Sequence, residues 1–117
     1  MPRSPAAYLA DIVDACDAIE AVLQGVDLDA YLSRRAIRSS VEREFILIGE
    51  AVASLRRIEP ELAAHISDAR IIVGFRNVLT HEYAAVDDEA VYGVATEDIE
   101  KLRRECAGLL SQLEATD

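Results

Sequence analysis

Four polar or ionisable side chains lie near the end of a mostly apolar segment, residues 70–83, and are the strongest candidates for chemistry in this sequence: Arg76, Asn77, His81 and Tyr83. An imidazole titrates near neutral pH and can accept or donate a proton. A guanidinium can hold the negative charge that builds on phosphorus during phosphodiester cleavage. RNA supplies its own nucleophile, the 2′-hydroxyl, so these residue types suit RNA cleavage without a metal ion.

The sequence shows no signature of a metal or cofactor site. It contains no His-Glu-x-x-His motif, no closely spaced cysteine pair and no carboxylate cluster with ligand spacing. Cys16 and Cys106 each fall within an apolar helical stripe, which predicts buried thiols rather than a disulfide or metal ligands. We therefore expect no cofactor.

The spacing of Arg76 and His81 constrains how they could act together. On an ideal helix the two side chains point about 140° apart, because each residue advances about 100°. Two arrangements would bring them together. The helix could end near Thr80, so that His81 turns toward Arg76, or two copies of the chain could meet about a two-fold axis and line one cleft with residues of both.

The hydrophobic pattern predicts helices throughout, with no strand alternation. Gly25 is typical of a helix end, Asp27 and Asp87 of helix N-caps, and Pro60 favours a break after residue 58. The predicted helices cover residues 6–24, a short stretch after Asp27, residues 34–58, a turn at 61–65, a helix capped by Ser67 or Asp68 that carries the 70–83 segment, and residues 87–113 with a restart near Thr96.

These elements predict an all-α, antiparallel bundle of four to five helices. The stripe Val41, Phe45, Ile48, Val52 and Leu55 would pack against neighbouring helices at a shallow angle. Gly49 lies inside that helix, where it costs roughly 1 kcal/mol relative to Ala. A glycine there indicates the close approach of another backbone. In the helix over residues 70–83, the apolar face predicted to pack consists of Ile71, Ile72, Phe75, Val78 and Leu79.

Length and composition limit the class of protein. The chain has 117 residues and is 51% hydrophobic, which predicts one domain over residues 1–117, with residues 1–5 as a flexible tail. No apolar run approaches the roughly 20 residues of a membrane span, and the N-terminus lacks a signal-peptide pattern, so we expect a cytoplasmic protein. The net charge of −10 argues against a general nucleic-acid coat protein but leaves room for a local basic site.

Three segments, in order along the chain, resemble one known family. Arg-Asn-Val-Leu-Thr-His-Glu-Tyr (residues 76–83) follows Ile-Ile-Val-Gly-Phe, Leu-Ile-Gly-Glu-Ala spans residues 47–51, and Val-Ala-Thr-Glu-Asp-Ile-Glu spans residues 94–100. Together they resemble the HepT-like branch of the HEPN superfamily, once called DUF86. The resemblance covers nearly the whole chain without large gaps.

The resemblance implies a specific activity and regulation. Relatives of this type are homodimeric, metal-independent endoribonucleases with a helical HEPN-like fold, and a cleft between the subunits holds the Arg and His of both. Arg76 and His81 would then be catalytic, with Asn77 as a supporting polar residue, and the substrate would be RNA, such as tRNA or mRNA. The protein would be the toxin of a toxin–antitoxin pair. Its antitoxin, a minimal nucleotidyltransferase, would transfer AMP to Tyr83 and could join the dimer in a larger complex.

Less specific interpretations compete with this one. The helical dimer could be a non-catalytic subunit that binds a nucleotidyltransferase, or a structural dimer whose polar cluster makes only salt bridges. Arg76 could pair with Glu50, and His81 could cap a helix. The cluster Arg34, Arg35, Arg38 and Arg43 could guide RNA phosphates or be a solvated face.

Overall fold

The computed structural model describes residues 3–115, and within them every regular element is helical, as predicted. The elements are α1 (Pro5–Val22), α2 (Leu28–Ser33), α3 (Arg35–Ile58), α4 (Pro60–Ala63), α5 (Ala69–His81), a 3₁₀ turn (Tyr83–Ala85), α6 (Asp88–Glu97) and α7 (Ile99–Ala115). α1 packs against α3 and α7, and α3 packs against α5 on its other side. The all-α bundle predicted from the periodicity is confirmed.

Local signals explain where the first two helices begin and end. The hydroxyl of Ser4 accepts a hydrogen bond from the backbone N–H of Ala7 at 3.2 Å, and Pro5 occupies the first turn, where its missing N–H costs nothing. Gly25 has a φ of 69°, a left-handed conformation that favours glycine, in the turn between α1 and α2. Asp27 caps α2 as predicted, accepting from Ala30 N–H at 2.8 Å. Of the predicted tail over residues 1–5, residues 1 and 2 lie outside the described part of the chain.

α3 is the central element of the bundle. Its predicted apolar stripe is buried, and Val41, Val52 and Leu55 are fully inaccessible to solvent. Fully burying side chains of this size contributes about 1.5–3 kcal/mol each. The helix ends at Ile58, just before Pro60 as predicted.

α6 and α7 replace the single restarting helix predicted over residues 87–113. The carboxylate of Asp87 caps α6 by accepting from the N–H groups of Glu89 and Ala90 at 3.1 and 3.2 Å. The break falls at Asp98, two residues after the predicted position near Thr96. The hydroxyl of Tyr92 donates to the carbonyl of Val26 at 2.7 Å, which ties α6 to the connection after α1.

α5 buries less of its apolar face than predicted. Leu79 is buried, while Ile72 and Phe75 are partly buried against the core. Ile71 is 70% exposed, so its predicted place in the packed face is wrong. The reason is that α5 packs mainly against α3, which covers only one side of it. Among residues 3–115, no helix is both long and apolar enough to cross a membrane.

Candidate functional site

Arg76 is held against the middle of α3 by the absence of a side chain at Gly49. A methyl group at Gly49 would lie 2.6 Å from the Arg76 Cγ, nearer still to its Cβ, and 3.5 Å from the carbonyl oxygen of Ile72. The predicted close approach at Gly49 is therefore confirmed. The approaching group is the stem of Arg76, together with the α5 backbone beside it.

Among residues 3–115, the guanidinium of Arg76 has no carboxylate as an ion-pair partner. Its Nε atom is buried and has no hydrogen-bond partner within the described residues. The suggested pair with Glu50 is wrong, because Glu50 lines a surface depression with Tyr8 and Asp11 of α1. Buried polar groups are nearly always paired in folded proteins. A guanidinium whose buried Nε–H donor is unsatisfied is therefore suited to binding an anion.

His81 is the last residue of α5 and is exposed. α5 continues through His81, one residue beyond the predicted end near Thr80. Arg76 faces α3 while His81 points away from it, about 140° around the same helix. Ideal helix geometry therefore roots the two predicted catalytic side chains on different sides of α5.

Asn77 is also exposed and follows Arg76 on the outer side of α5. The hydroxyl of Thr80 donates to the carbonyl oxygens of Arg76 and Asn77 at 3.1 and 3.4 Å. These bonds satisfy backbone acceptors near the end of the helix, where intrahelical partners run out. The Thr80 hydroxyl thus stabilises the end of the helix, and the side chain of Asn77 is exposed to solvent.

Tyr83 begins the 3₁₀ turn after α5 and is 62% exposed. Its phenol acts to lower the pKa of the carboxyl group of Glu42 on α3, a residue that the sequence pattern does not mark as a site residue. Glu42 is only 6% exposed and is the one buried charged side chain among residues 3–115. The sequence does carry a signal for it, since Glu42 lies seven residues before Gly49 and so shares the side of α3 that meets α5.

Charged and phenolic groups from four elements surround Glu42. Burial is the main cause that raises the pKa of its carboxyl, and the negative charge of Asp88 on α6 raises it further. The positive charge of Arg38 and the phenol of Tyr83 act in the opposite direction. Tyr31 of α2 is fully buried nearby, its hydroxyl has no hydrogen-bond partner in the described part of the chain, and burial raises its pKa.

Arg38 is committed to the protein and is a poor candidate for guiding RNA. Its guanidinium lies 3.6 Å from the carboxylate of Asp88 and donates to the carbonyl oxygen of Leu32 at 2.6 Å. The other members of the predicted basic cluster, Arg34, Arg35 and Arg43, are exposed.

The uncovered side of α5 carries small and apolar residues beside His81. Ile71, Gly74, Val78 and His81 fall within an arc of about 80° around the helix. A methyl group at Gly74 would meet no atom within 4 Å, and Val78 is outside the packed core. This surface, defined by these four residues, is called the outer α5 face below. An exposed apolar strip of this kind is typical of a protein contact surface.

The cysteines lie in the core, away from this region. Cys16 and Cys106 are free and buried, as predicted, and burial raises the pKa of each thiol to about 12. No group of three or more His, Cys, Asp or Glu residues that could hold a metal ion occurs between residues 3 and 115.

Comparisons with known proteins agree on one family. The family model described as "Ribonuclease HepT-like" matches residues 12–109. "Putative RNase MJ0125" of Methanocaldococcus jannaschii is 30% identical over 96% of this chain and 96% of its own length. "Probable ribonuclease HepT" of Thermococcus cleftensis is 29% identical over 88% of this chain and 93% of its own length. No solved structure matches the chain significantly.

Proposed function

The chain belongs to the HepT-like ribonuclease family, and we propose that it is a metal-independent endoribonuclease whose active site is shared between two subunits. The observation that carries the proposal is the state of Arg76. Its stem is locked over Gly49, and its buried Nε has no partner in the described part of the chain. A scissile phosphate would supply the missing acceptor.

The geometry of α5 supports a dimer. Arg76 and His81 cannot converge within one straight helix, whereas Arg76 of one subunit and His81 of the partner subunit can meet across a two-fold axis. The outer α5 face offers a contact surface for this arrangement. Gly74 allows close approach of the partner helix, and Ile71 would bury an apolar side chain that one subunit leaves 70% exposed.

The proposed reaction needs only these groups. His81, in its neutral form, takes the proton from the 2′-hydroxyl as that oxygen attacks the adjacent phosphorus. Arg76 donates to the phosphate oxygens and stabilises the charge that develops in the transition state. The protonated imidazole can then return a proton to the leaving 5′-oxygen. Asn77, on the exposed side of α5, would contact the neighbouring RNA backbone.

We also propose that the protein acts as a toxin in the cytoplasm and is silenced by a minimal nucleotidyltransferase. Tyr83 is the proposed acceptor of AMP, and its 62% exposure leaves the hydroxyl-bearing ring open to a partner enzyme. It follows His81 by two residues, so an added phosphate would lie close to the nuclease site. The adduct would repel the RNA backbone and compete for Arg76.

A cleavage assay on the purified, unmodified protein tests the nuclease proposal. RNA should be cut in the presence of EDTA, and Arg76→Ala and His81→Ala should each remove the activity. Arg57→Ala and His65→Ala are matched controls, because both residues are exposed and lie outside α5, so both variants should cut RNA like the wild type. Intact RNA with the wild-type protein would refute the proposal and favour the non-catalytic binding subunit.

A further inference from the structure

We propose that Arg34 and Arg35 bind the phosphate backbone of the RNA substrate about four nucleotides from the bond that is cut. The inference rests on the proposed ribonuclease function and adds a substrate-binding site to it. The two residues, called the arginine pair below, lie outside α5, at the N-terminal end of α3. The polar residues of α5 cut the strand, and the arginine pair holds it.

The first argument is that the protein does not neutralise the charge of the arginine pair. Both side chains are exposed, and neither forms an ion pair among residues 3–115. Arg38, one turn further along α3, shows the contrast, because its guanidinium lies 3.6 Å from the carboxylate of Asp88. An exposed guanidinium without a carboxylate partner keeps all its donors available, and its planar fork matches the oxygens of a phosphate.

The second argument is the charge of the whole chain. A net charge of −10 opposes the approach of RNA, so binding depends on a local positive site. Four of the 12 basic residues fall between residues 34 and 43. Arg38 is neutralised by its ion pair, and Arg43 lies about 120° around α3 from Gly49, the residue that meets α5. Arg35 lies within about 40° of the direction of Gly49, so the arginine pair is on the same side of α3 as α5.

The third argument is the relative direction of α3 and α5. Gly49, in the middle of α3, meets Arg76, and Arg38, near the beginning of α3, reaches Asp88 beyond the end of α5. The chain after Arg76 therefore runs toward the N-terminal end of α3. α6 begins beside Arg38 and leaves the arginine pair exposed.

α3 extends well past the end of α5 in this direction. From Gly49 to Arg35, α3 rises about 21 Å at about 1.5 Å per residue, and from Arg76 to His81, α5 rises about 7.5 Å. Because Arg76 lies opposite Gly49, Arg35 lies about 13 Å beyond His81 along the bundle. A stacked nucleic-acid strand advances about 3.4 Å per nucleotide, so this gap corresponds to about four nucleotides.

The first test measures binding to a single-stranded RNA of about 20 nucleotides, a length that spans the proposed gap. Every 2′-hydroxyl carries a methyl group, which blocks the nucleophile and prevents cleavage. The dissociation constant is measured in EDTA over a range of NaCl concentrations. Each phosphate contact to a single strand contributes about 0.7 to the slope of log K against log salt, so Arg34→Ala/Arg35→Ala should lower the slope by about 1.4. If the electrostatic contribution vanishes at about 1 M salt, binding at about 0.1 M should weaken about 25-fold.

Two further variants serve as controls. Arg56→Ala/Arg57→Ala also removes two adjacent, exposed arginines from α3, but these lie in its last turn, at the opposite end. This variant should bind RNA with the slope and affinity of the wild type. Arg34→Lys/Arg35→Lys keeps both charges and should keep the wild-type slope, because a lysine ammonium also binds phosphate as a point charge.

The second test compares the cleavage of a long and a short substrate. With unmodified RNA of about 20 nucleotides, Arg34→Ala/Arg35→Ala should raise KM by the factor seen in binding and leave kcat unchanged, because the lost contacts are made in the ground state and the transition state alike. A dinucleotide with one phosphodiester is too short to span from His81 to Arg35. With this substrate, therefore, the variant and the wild type should not differ.

The outcomes separate this inference from the proposed function. If the wild type cuts RNA and Arg34→Ala/Arg35→Ala keeps the wild-type slope and KM, the arginine pair does not bind the substrate, and the proposed function stands. An equal loss with Arg56→Ala/Arg57→Ala, or an equal loss with the dinucleotide, would also refute the site. A variant that binds RNA normally but no longer binds the nucleotidyltransferase would make the pair a protein contact instead. If the wild type neither binds nor cuts RNA, the proposed function fails, and the inference fails with it.

Discussion

Gly49→Ala should separate the stability of the fold from the placement of Arg76. A methyl group at this position would lie 2.6 Å from the Arg76 Cγ, where ordinary contacts begin at 3.4 Å. The atoms in the way belong to the root of the side chain, so a rotamer change at its far end cannot relieve the contact. α5 must therefore move away from α3 by about 1 Å.

The expected magnitudes follow from two opposing effects. Overpacking of a tight contact typically costs about 1–3 kcal/mol, and replacing a helical glycine with alanine returns about 1 kcal/mol. The free energy of unfolding should therefore fall by about 0–2 kcal/mol. Domains are usually stable by about 5–15 kcal/mol, so the variant should remain folded. A displacement of about 1 Å at a catalytic group can cost about 10²-fold in rate, so RNA cleavage should suffer far more than folding.

Gly108→Ala is the matched control for this experiment. Gly108 lies inside α7, and a methyl group there would meet no atom within 4 Å. The control should be about 1 kcal/mol more stable than wild type, with unchanged cleavage. Denaturant unfolding and the cleavage assay are run on both variants. If Gly49→Ala proves as stable and as active as Gly108→Ala, then Gly49 does not position Arg76.

Three further predictions concern other parts of the molecule. Light scattering should show the proposed dimer for the wild type and for Gly108→Trp but monomers for Gly74→Trp; a dimeric Gly74→Trp would exclude the outer α5 face as the interface. Folding raises the Glu42 pKa, so its contribution to stability is full below about pH 4 and is lost as the pH rises through the folded value. Glu42→Gln should therefore stabilise the protein at pH 7 and lose this advantage near pH 4, and a gain that persists at low pH would contradict the assignment. Cys16 and Cys106 should resist alkylation at pH 8 until denaturant is added, because their pKa values are about 12 and both are buried; rapid labelling of the native protein would show that the core is open.

The sequence was sufficient to predict the helical architecture because its local signals agree with one another. Asp27 and Asp87 cap helices where a side-chain acceptor precedes an apolar-periodic segment. Gly25 adopts a positive φ in the turn that follows α1, and Gly49 lies where a neighbouring helix approaches. The caps and the turn at Gly25 depend on short-range geometry, which a single sequence records directly, whereas Gly49 indicates a close approach without identifying the neighbour.

Other features depend on which helices become neighbours, and the sequence does not record this. Ile71 belongs to the apolar pattern of α5, yet it is exposed because α3 covers only one side of that helix. Glu42 looked like an ordinary surface residue of a helix rich in charges. Its burial arises from the convergence of α2, α6 and the turn at Tyr83 onto α3, and α6 and this turn lie more than 40 positions from Glu42 in the chain.

The shared active site is the central claim, and mixing two inactive variants tests it most directly. Arg76→Ala and His81→Ala are unfolded together, refolded as a mixture and assayed for RNA cleavage in EDTA. The mixed dimer retains one intact pair, formed by Arg76 of one subunit and His81 of the partner subunit, so the mixture should regain a substantial part of the wild-type rate. Mixed dimers that form, as shown by native mass spectrometry, but leave the RNA uncut would contradict a site built from both subunits.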